Sequence, residues 1–182
     1  VLAFSCAKAY RMPTTGSSTM PMWFVAEALA MTALLSAQDF THVVRHAPLI
    51  SLDLVVTNSH GEALLGQRLN RPAQGYWFVP GGRVRKDERL AQAFLRLTQE
   101  ELGLALPLNE AHCLGPYEHH YPDNVFGTDF STHYVVLAYQ ITLDLDLAAL
   151  PQAQHGAYRW WPLAELRAAP DVHVHTQWYF PA

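Results

Sequence analysis

One stretch constrains this chain more than any other: residues 82–104, GRVRKDERLAQAFLRLTQEELGL. A Gly-Gly turn at Gly81 and Gly82 halts a short β-rich run. The apolar positions Leu90, Phe94, Leu97 and Thr98 then fall at helical spacing, which predicts a helix from Glu88 to Leu102. Asp87 and Glu88 stand at its start, where the helix dipole favours acids, and Gly103 suits a left-handed C-cap. The far end is less comfortable. Glu100 and Glu101 repel each other and oppose the negative C-terminal dipole. A hard divalent cation would offset that cost, and magnesium favours carboxylates together with substrate phosphate oxygens. A solvated acidic helix end is the plainer alternative.

The flanks read as strands. Ser36-Ala37-Gln38-Asp39 resembles a capping box that opens a short helix through Val44, stopped before Pro48. Leu49 to Thr57 is β-rich, Asn58-Ser59-His60-Gly61 is a turn, and Glu62 to Arg68 is the returning strand. Trp77-Phe78-Val79 makes a further short strand, halted by Pro80-Gly81-Gly82. Cys113 to Tyr121, Thr132 to Thr142 and Tyr158 to Trp161 complete the strand candidates. Short helices are expected over Pro162 to Ala169 and towards Phe180. Strands around one well-marked helix predict an α/β fold.

Composition narrows the class. With 50% hydrophobic and 15% charged residues among 182, the chain is not of the disordered kind. A net charge of −4 argues against a general nucleic-acid binder, which needs a basic surplus. Met22 to Leu35 is apolar but short of the roughly 18 uncharged residues a membrane helix requires, and it contains Glu27. A signal peptide is the weaker reading of this run. The favoured one places the true start near Met31, with residues 1–36 a leader or extension and residues 37–182 the domain. Cys6 and Cys113 form no pair motif and read as free thiols of a reducing compartment, hence a cytoplasmic location without a membrane partner.

The spacing then becomes specific. Gly82, Glu88 after five residues, Arg96 after seven, Glu100-Glu101 and Gly103-Leu104 resemble the Nudix box, G-x5-E-x7-R-E-U-x-E-E-x-G-U. Thr98 fills the usual apolar slot, and Leu97 replaces the glutamate after the arginine. The resemblance implies an α/β/α sandwich with a mixed sheet, and Mg²⁺-dependent action on nucleoside diphosphates linked to another moiety. Leucine can neither ligate a metal nor act as a base. The altered box is similar to that of the GDP-mannose mannosyl hydrolases, as are SLDLVV (51–56), NRPAQGYWFVPGGR (70–83), GTDFSTHYVVL (127–137) and the pair Gln154-His155.

That resemblance implies hydrolysis of GDP-mannose, or of GDP-glucose, by water attack at the anomeric carbon with inversion, in a homodimer. Carried onto this chain, it implies Mg²⁺, or Mn²⁺, on the Gly81 carbonyl, Glu101 and Gln154, with Glu100 as a further candidate. His155 is implied as general base, since an imidazole can deprotonate water near neutral pH. Arg68 and Arg83 would grip the diphosphate. Tyr134 would donate to the leaving phosphate, and Asp53 and His119 would meet the sugar. Arg96, Tyr121 and Asp123 are further substrate-side candidates.

Each has a plainer reading. Arg68 could be an exposed strand arginine, and His155 an exposed loop histidine. Asp53, in an apolar strand, needs a partner, for which Arg68 or Arg83 is the expectation. His119, His120, His173 and His175 could suggest zinc, yet no cysteine pair or HExxH accompanies them. Trp160-Trp161 is expected in the core or an interface. Two alternatives stand beside the glycosyl hydrolase: a conventional Nudix diphosphohydrolase giving GMP and sugar 1-phosphate, and a catalytically silent nucleotide-sugar binder.

Overall fold

The computed structural model describes residues 35–181; the leader reading, apart from its last two residues, lies outside them. In chain order the elements are α1 (Ala37–His46), β1 (Leu49–Thr57), β2 (Glu62–Arg68), β3 (Trp77–Phe78), β4 (Gly81–Arg83), α2 (Leu90–Leu102), β5 (His112–Tyr121), β6 (Thr132–Thr142), β7 (His155–Pro162), α3 (Leu163–Ala168) and α4 (Val174–Gln177). Single 3-10 turns fall at Leu108–Glu110 and Leu147–Ala149.

Local chemistry accounts for the ends. The Ser36 hydroxyl accepts from the Asp39 N–H at 3.1 Å, the expected cap of α1. Gly103 closes α2 at φ 75°, in the left-handed region that a side chain disfavours. Helix α2 begins later than its acids suggest. Arg89 is its N-cap, with the Gln92 side chain accepting from the Arg89 N–H at 3.0 Å, and Glu88 stays in the loop.

The sheet is mixed. Its main path runs β3-β2-β1-β6-β5, with β7 on β2 and β4 on β1. Strands β1 and β6 are parallel from Leu49↔Tyr134 to Thr57↔Thr142. The hairpin β1–β2 touches in register at Thr57↔Ala63 and then opens, and β4 enters the gap opposite Ser51, Leu52 and Asp53. Here the structure corrects the expectation that Pro80-Gly81-Gly82 only stops a strand: Gly81–Arg83 is itself one. A Cβ on Gly81 would come within 2.5 Å of the Leu52 carbonyl oxygen, so only glycine permits this approach. Strand β7 also begins three residues earlier than expected, at His155, opposite Arg68 and beyond a bulge at Gly66/Arg68.

Layers cover both faces. Leu52, Leu54, Val56 and Leu64 pack against Ala93, Phe94, Leu97 and Leu102 of α2. On the other face Val55, Ala63 and Leu65 pack with Trp161, Leu166, Val172, Tyr179 and Phe180 of the C-terminal segment. This is the α/β/α sandwich expected. Trp161 lies in the core, and Trp160 packs at the edge of the α2 side. No helix among the described residues is long and apolar enough to cross a membrane.

Candidate active site

A cleft of about 340 Å³ opens where β4 enters the sheet, and it is lined among others by Asp53, Arg68, Gly81, Arg83, Tyr134 and Gln154. Behind the Gln154 side of the cleft lies a buried carboxylate. Glu101 is 2% exposed, and the Gln154 side-chain amide donates to its Oε1 at 2.7 Å. Nε2 of His155 lies 3.3 Å from the other oxygen, Oε2. His155 is 3% exposed, so the exposed-loop reading does not hold. The residue that makes room for it is Gly66, where a Cβ would stand 2.4 Å from the His155 Nδ1. That Nδ1 is buried without a hydrogen-bond partner. Neither the role of Gly66 nor the pairing of His155 with Glu101 has a signal in linear spacing, because the two contacts join β2, α2 and β7.

The arginines divide into two kinds. Arg68 ends β2 with its Nε buried and unpartnered, a donor available to a ligand. Arg83 sits on β4 with its guanidinium carbon 3.7 Å from the centre of the Phe40 ring. Burial lowers the Arg83 pKa below the ordinary guanidinium value, while Tyr134 and its other neighbours act more weakly. Tyr134 is held neutral, because burial raises its pKa above 10.0.

Arg96 belongs to a different group. It donates to Glu88 at 2.7 and 2.8 Å, to Glu100 at 2.8 Å and to the Arg83 carbonyl at 2.9 Å. These bonds occupy four of the five N–H donors of a guanidinium. Arg96 therefore steadies the loop that carries Arg83, and it also lines the cleft. The Glu100 oxygens are taken by Arg96 and by Arg85 at 3.3 Å, which sets its carboxylate among arginines and apart from the Glu101–Gln154 pair. Asp123 accepts from Arg71 at 2.9 Å and is not among the residues that line the cleft.

Asp53 contradicts its expected partners. Neither Arg68 nor Arg83 pairs with it; the Tyr179 hydroxyl donates to its Oδ2 at 2.7 Å. Burial pushes the Asp53 carboxyl up to about 7, with that hydrogen bond and the Arg68 charge opposing less strongly. His119 is 2% exposed, with Nε2 3.1 Å from the same hydroxyl, and Tyr121 stands 3.5 Å from its Nδ1. Burial, then the neighbouring His175, His173 and His120, lowers the His119 pKa to about 3. Tyr179 and Gly66 are thus the site residues that sequence reasoning missed.

The box position with leucine is fully enclosed. Leu97 is 2% exposed, and a Cβ on Gly82 would lie 2.6 Å from its Cδ2. Among the described residues no group of three or more His, Cys, Asp or Glu side chains is arranged to hold a metal ion. A cation here would therefore need Glu101 together with neutral oxygens. Gln154, next to that carboxylate, and the Gly81 carbonyl on the cleft wall are donors of that kind, so the residues present fit a hard divalent ion.

Comparison with known proteins agrees with this architecture. Residues 48–180 match the NUDIX domain family. The low-salt glycan biosynthesis protein Agl8 of Haloferax volcanii is 42% identical over 116 residues, which are 63% of this chain and 72% of that protein. An 8-oxo-dGTP diphosphatase of Proteus vulgaris is 33% identical over 77 residues, 42% of this chain and 67% of its own. Among solved structures, a MutT protein from Methanosarcina mazei Go1 superposes with a TM-score of 0.59 at 21% identity, covering 74% of this chain and 92% of its own, a likeness of fold. The fold, the box on α2 and a match across most of the chain place this protein in the NUDIX domain family, which supports a hydrolase activity.

Proposed function

We propose that this chain hydrolyses GDP-mannose, or a related GDP-hexose, to GDP and free sugar through water attack at the anomeric carbon with inversion. The observation that carries this reading is the convergence of Gln154 and His155 on the two oxygens of Glu101, beside a box position filled by buried Leu97. The base that a conventional box would supply on α2 is missing, and an imidazole stands next to the carboxylate instead.

His155 takes the proton of the attacking water. Glu101 at 3.3 Å from Nε2 then stabilises the imidazolium that forms. Glu101, Gln154 and the Gly81 carbonyl would hold Mg²⁺, or Mn²⁺, and the bound ion would neutralise the diphosphate. Arg68 and Arg83 bind phosphate oxygens and stabilise GDP as charge develops on it. Tyr134, neutral at working pH, donates a hydrogen bond to the leaving phosphate. Asp53 and His119 meet the sugar hydroxyls. A glycan-related role for the relative Agl8 is in keeping with a nucleotide-sugar substrate. A homodimer in the cytoplasm accompanies the same reading, and light scattering of the purified protein tests the assembly.

Products decide the matter. Incubation with GDP-mannose and Mg²⁺ should release reducing sugar and GDP in equal amounts. Appearance of GMP with no free mannose would favour the conventional diphosphohydrolase, the activity class of the 8-oxo-dGTP diphosphatase of Proteus vulgaris. Absence of turnover across metals and GDP-hexoses would leave a silent binder.

A further inference from the structure

The C-terminal segment reaches into the site without lining the cleft. After α4 the chain continues in tight turns, with Tyr179 N–H donating to the Thr176 carbonyl and Phe180 N–H to that of Gln177. Three contacts fix the segment against the rest of the fold. The Thr176 hydroxyl accepts from the Val79 N–H at 3.3 Å, Arg167 donates to the Phe180 carbonyl at 2.7 Å, and the Tyr117 ring meets the Tyr179 ring edge-on at 4.7 Å between centres. The Tyr179 ring is therefore placed by packing, and packing alone would accept phenylalanine.

Its hydroxyl does something that packing does not require. It lies between Asp53 Oδ2 at 2.7 Å and His119 Nε2 at 3.1 Å, and both partners line the cleft. A phenol has one proton. Given to the carboxylate, it obliges the imidazole to carry its hydrogen on Nε2 and donate to the Tyr179 oxygen. The His119 Nδ1 then accepts from Tyr121. With Asp53 ionised, every member has one direction: Tyr121 to His119, His119 to Tyr179, Tyr179 to Asp53. The chain ends on one oxygen of Asp53 and leaves the other for a ligand.

We propose that Tyr179 is a positioning residue for the hydrolysis, holding the Asp53 carboxylate and the His119 ring in one fixed arrangement at the sugar end of the cleft. It acts through those two residues and makes no contact with substrate. The inference rests on the reading of Asp53 and His119 as sugar-facing groups.

The test is a double-mutant cycle on the full chain with GDP-mannose and Mg²⁺, reading sugar release and thermal unfolding for wild type, Tyr179→Phe, Asp53→Asn and the pair. Tyr179→Phe should lower kcat by about tenfold or more, the loss of a hydrogen bond to a charged group, with KM near that of wild type. In the Asp53→Asn background the same change should add little, because both substitutions disturb one unit. Phe180→Leu serves as the packing control: it loosens the same segment, leaves the hydroxyl in place, and should lower the melting temperature with kcat retained. Wild-type turnover in Tyr179→Phe, additive effects in the cycle, or a kcat loss in Phe180→Leu equal to that of Tyr179→Phe each overturn the inference while the substrate reading stands. A wild-type protein that releases no sugar overturns the reading of the substrate, and the inference with it.

Discussion

The two faces of β1 are built from alternate residues of one strand and follow different rules. Leu52, Leu54 and Val56 point to α2 and are enclosed in hydrocarbon. Ser51, Asp53 and Val55 point the other way, and there a carboxylate is buried at 6% exposure among tyrosine, histidine and arginine. The first face obtains stability from area removed from water. The second accepts a desolvated charge, which holds polar groups in fixed positions at a cost in stability. Substitutions should therefore separate by face: those on the α2 side alter stability, and those on the cleft side alter turnover.

The largest separation is expected at His155. Replacing it with glutamine removes the base while keeping a side chain of comparable reach. Turnover of GDP-mannose should fall by about 10²–10⁴-fold, the usual worth of general base catalysis. Binding of GDP, followed by calorimetry, should persist. Equal loss of binding and turnover would mean that His155 supports the fold of the cleft and not the reaction.

Phe94→Ala tests the opposite face. The ring is fully buried under the sheet, edge-on to Tyr139 at 5.5 Å between centres. Urea unfolding should show a loss of about 3–5 kcal/mol, as for other buried aromatic truncations. KM for GDP-mannose should stay near that of wild type below the new melting point. A change in KM larger than the change in kcat would show that the α2 core and the cleft are not separable.

Much of this division can be read in the sequence. The alternation in SLDLVV and the 3.6-residue period of α2 follow from local chemistry, so β1, β2, β6 and the box helix fall where the pattern puts them. Strand β4 and the start of β7 do not. Gly81–Arg83 and His155 become strand only because a neighbour offers its free edge, information that lies dozens of residues away. The site shows the same split. Glu101, Gln154 and His155 are accessible through resemblance, and they meet at the side of the cleft that Gln154 lines. Arg96 and Glu100 carry the motif but face one another. Tyr179, which satisfies Asp53, is separated from it by 126 residues, and no periodicity marks it.

Asp53 sharpens the contrast within one residue through pH. The ordinary value of the carboxyl is 3.8, and burial raises it to about 7 in the folded chain. The ionised form thus lowers stability progressively as pH rises between those values, and the penalty is constant above about 7. Asp53→Asn keeps an acceptor for Tyr179 and removes the charge. Its urea midpoint should exceed that of wild type at pH 8 and match it near the ordinary carboxyl value, while kcat falls. An equal midpoint at pH 8 would mean that the carboxylate is adequately compensated where it stands.

The smallest effect is expected at Glu100, beside Glu101 on the same helix yet on a different side of the argument. Glu101 is buried against Gln154 and His155; the Glu100 side chain is 41% exposed and its oxygens rest on Arg85 and Arg96. Pairs with that much solvent contribute roughly 0–1 kcal/mol. Glu100→Ala should shift the urea midpoint within that range and leave the Mg²⁺ concentration for half-maximal turnover within a few-fold of wild type. Glu101→Gln should raise the same Mg²⁺ requirement far more. A tenfold or greater rise in the Mg²⁺ requirement of Glu100→Ala would make Glu100 a participant in cation binding. The acidic end of α2 would then have to be read as one site and not as a ligand beside an ion pair.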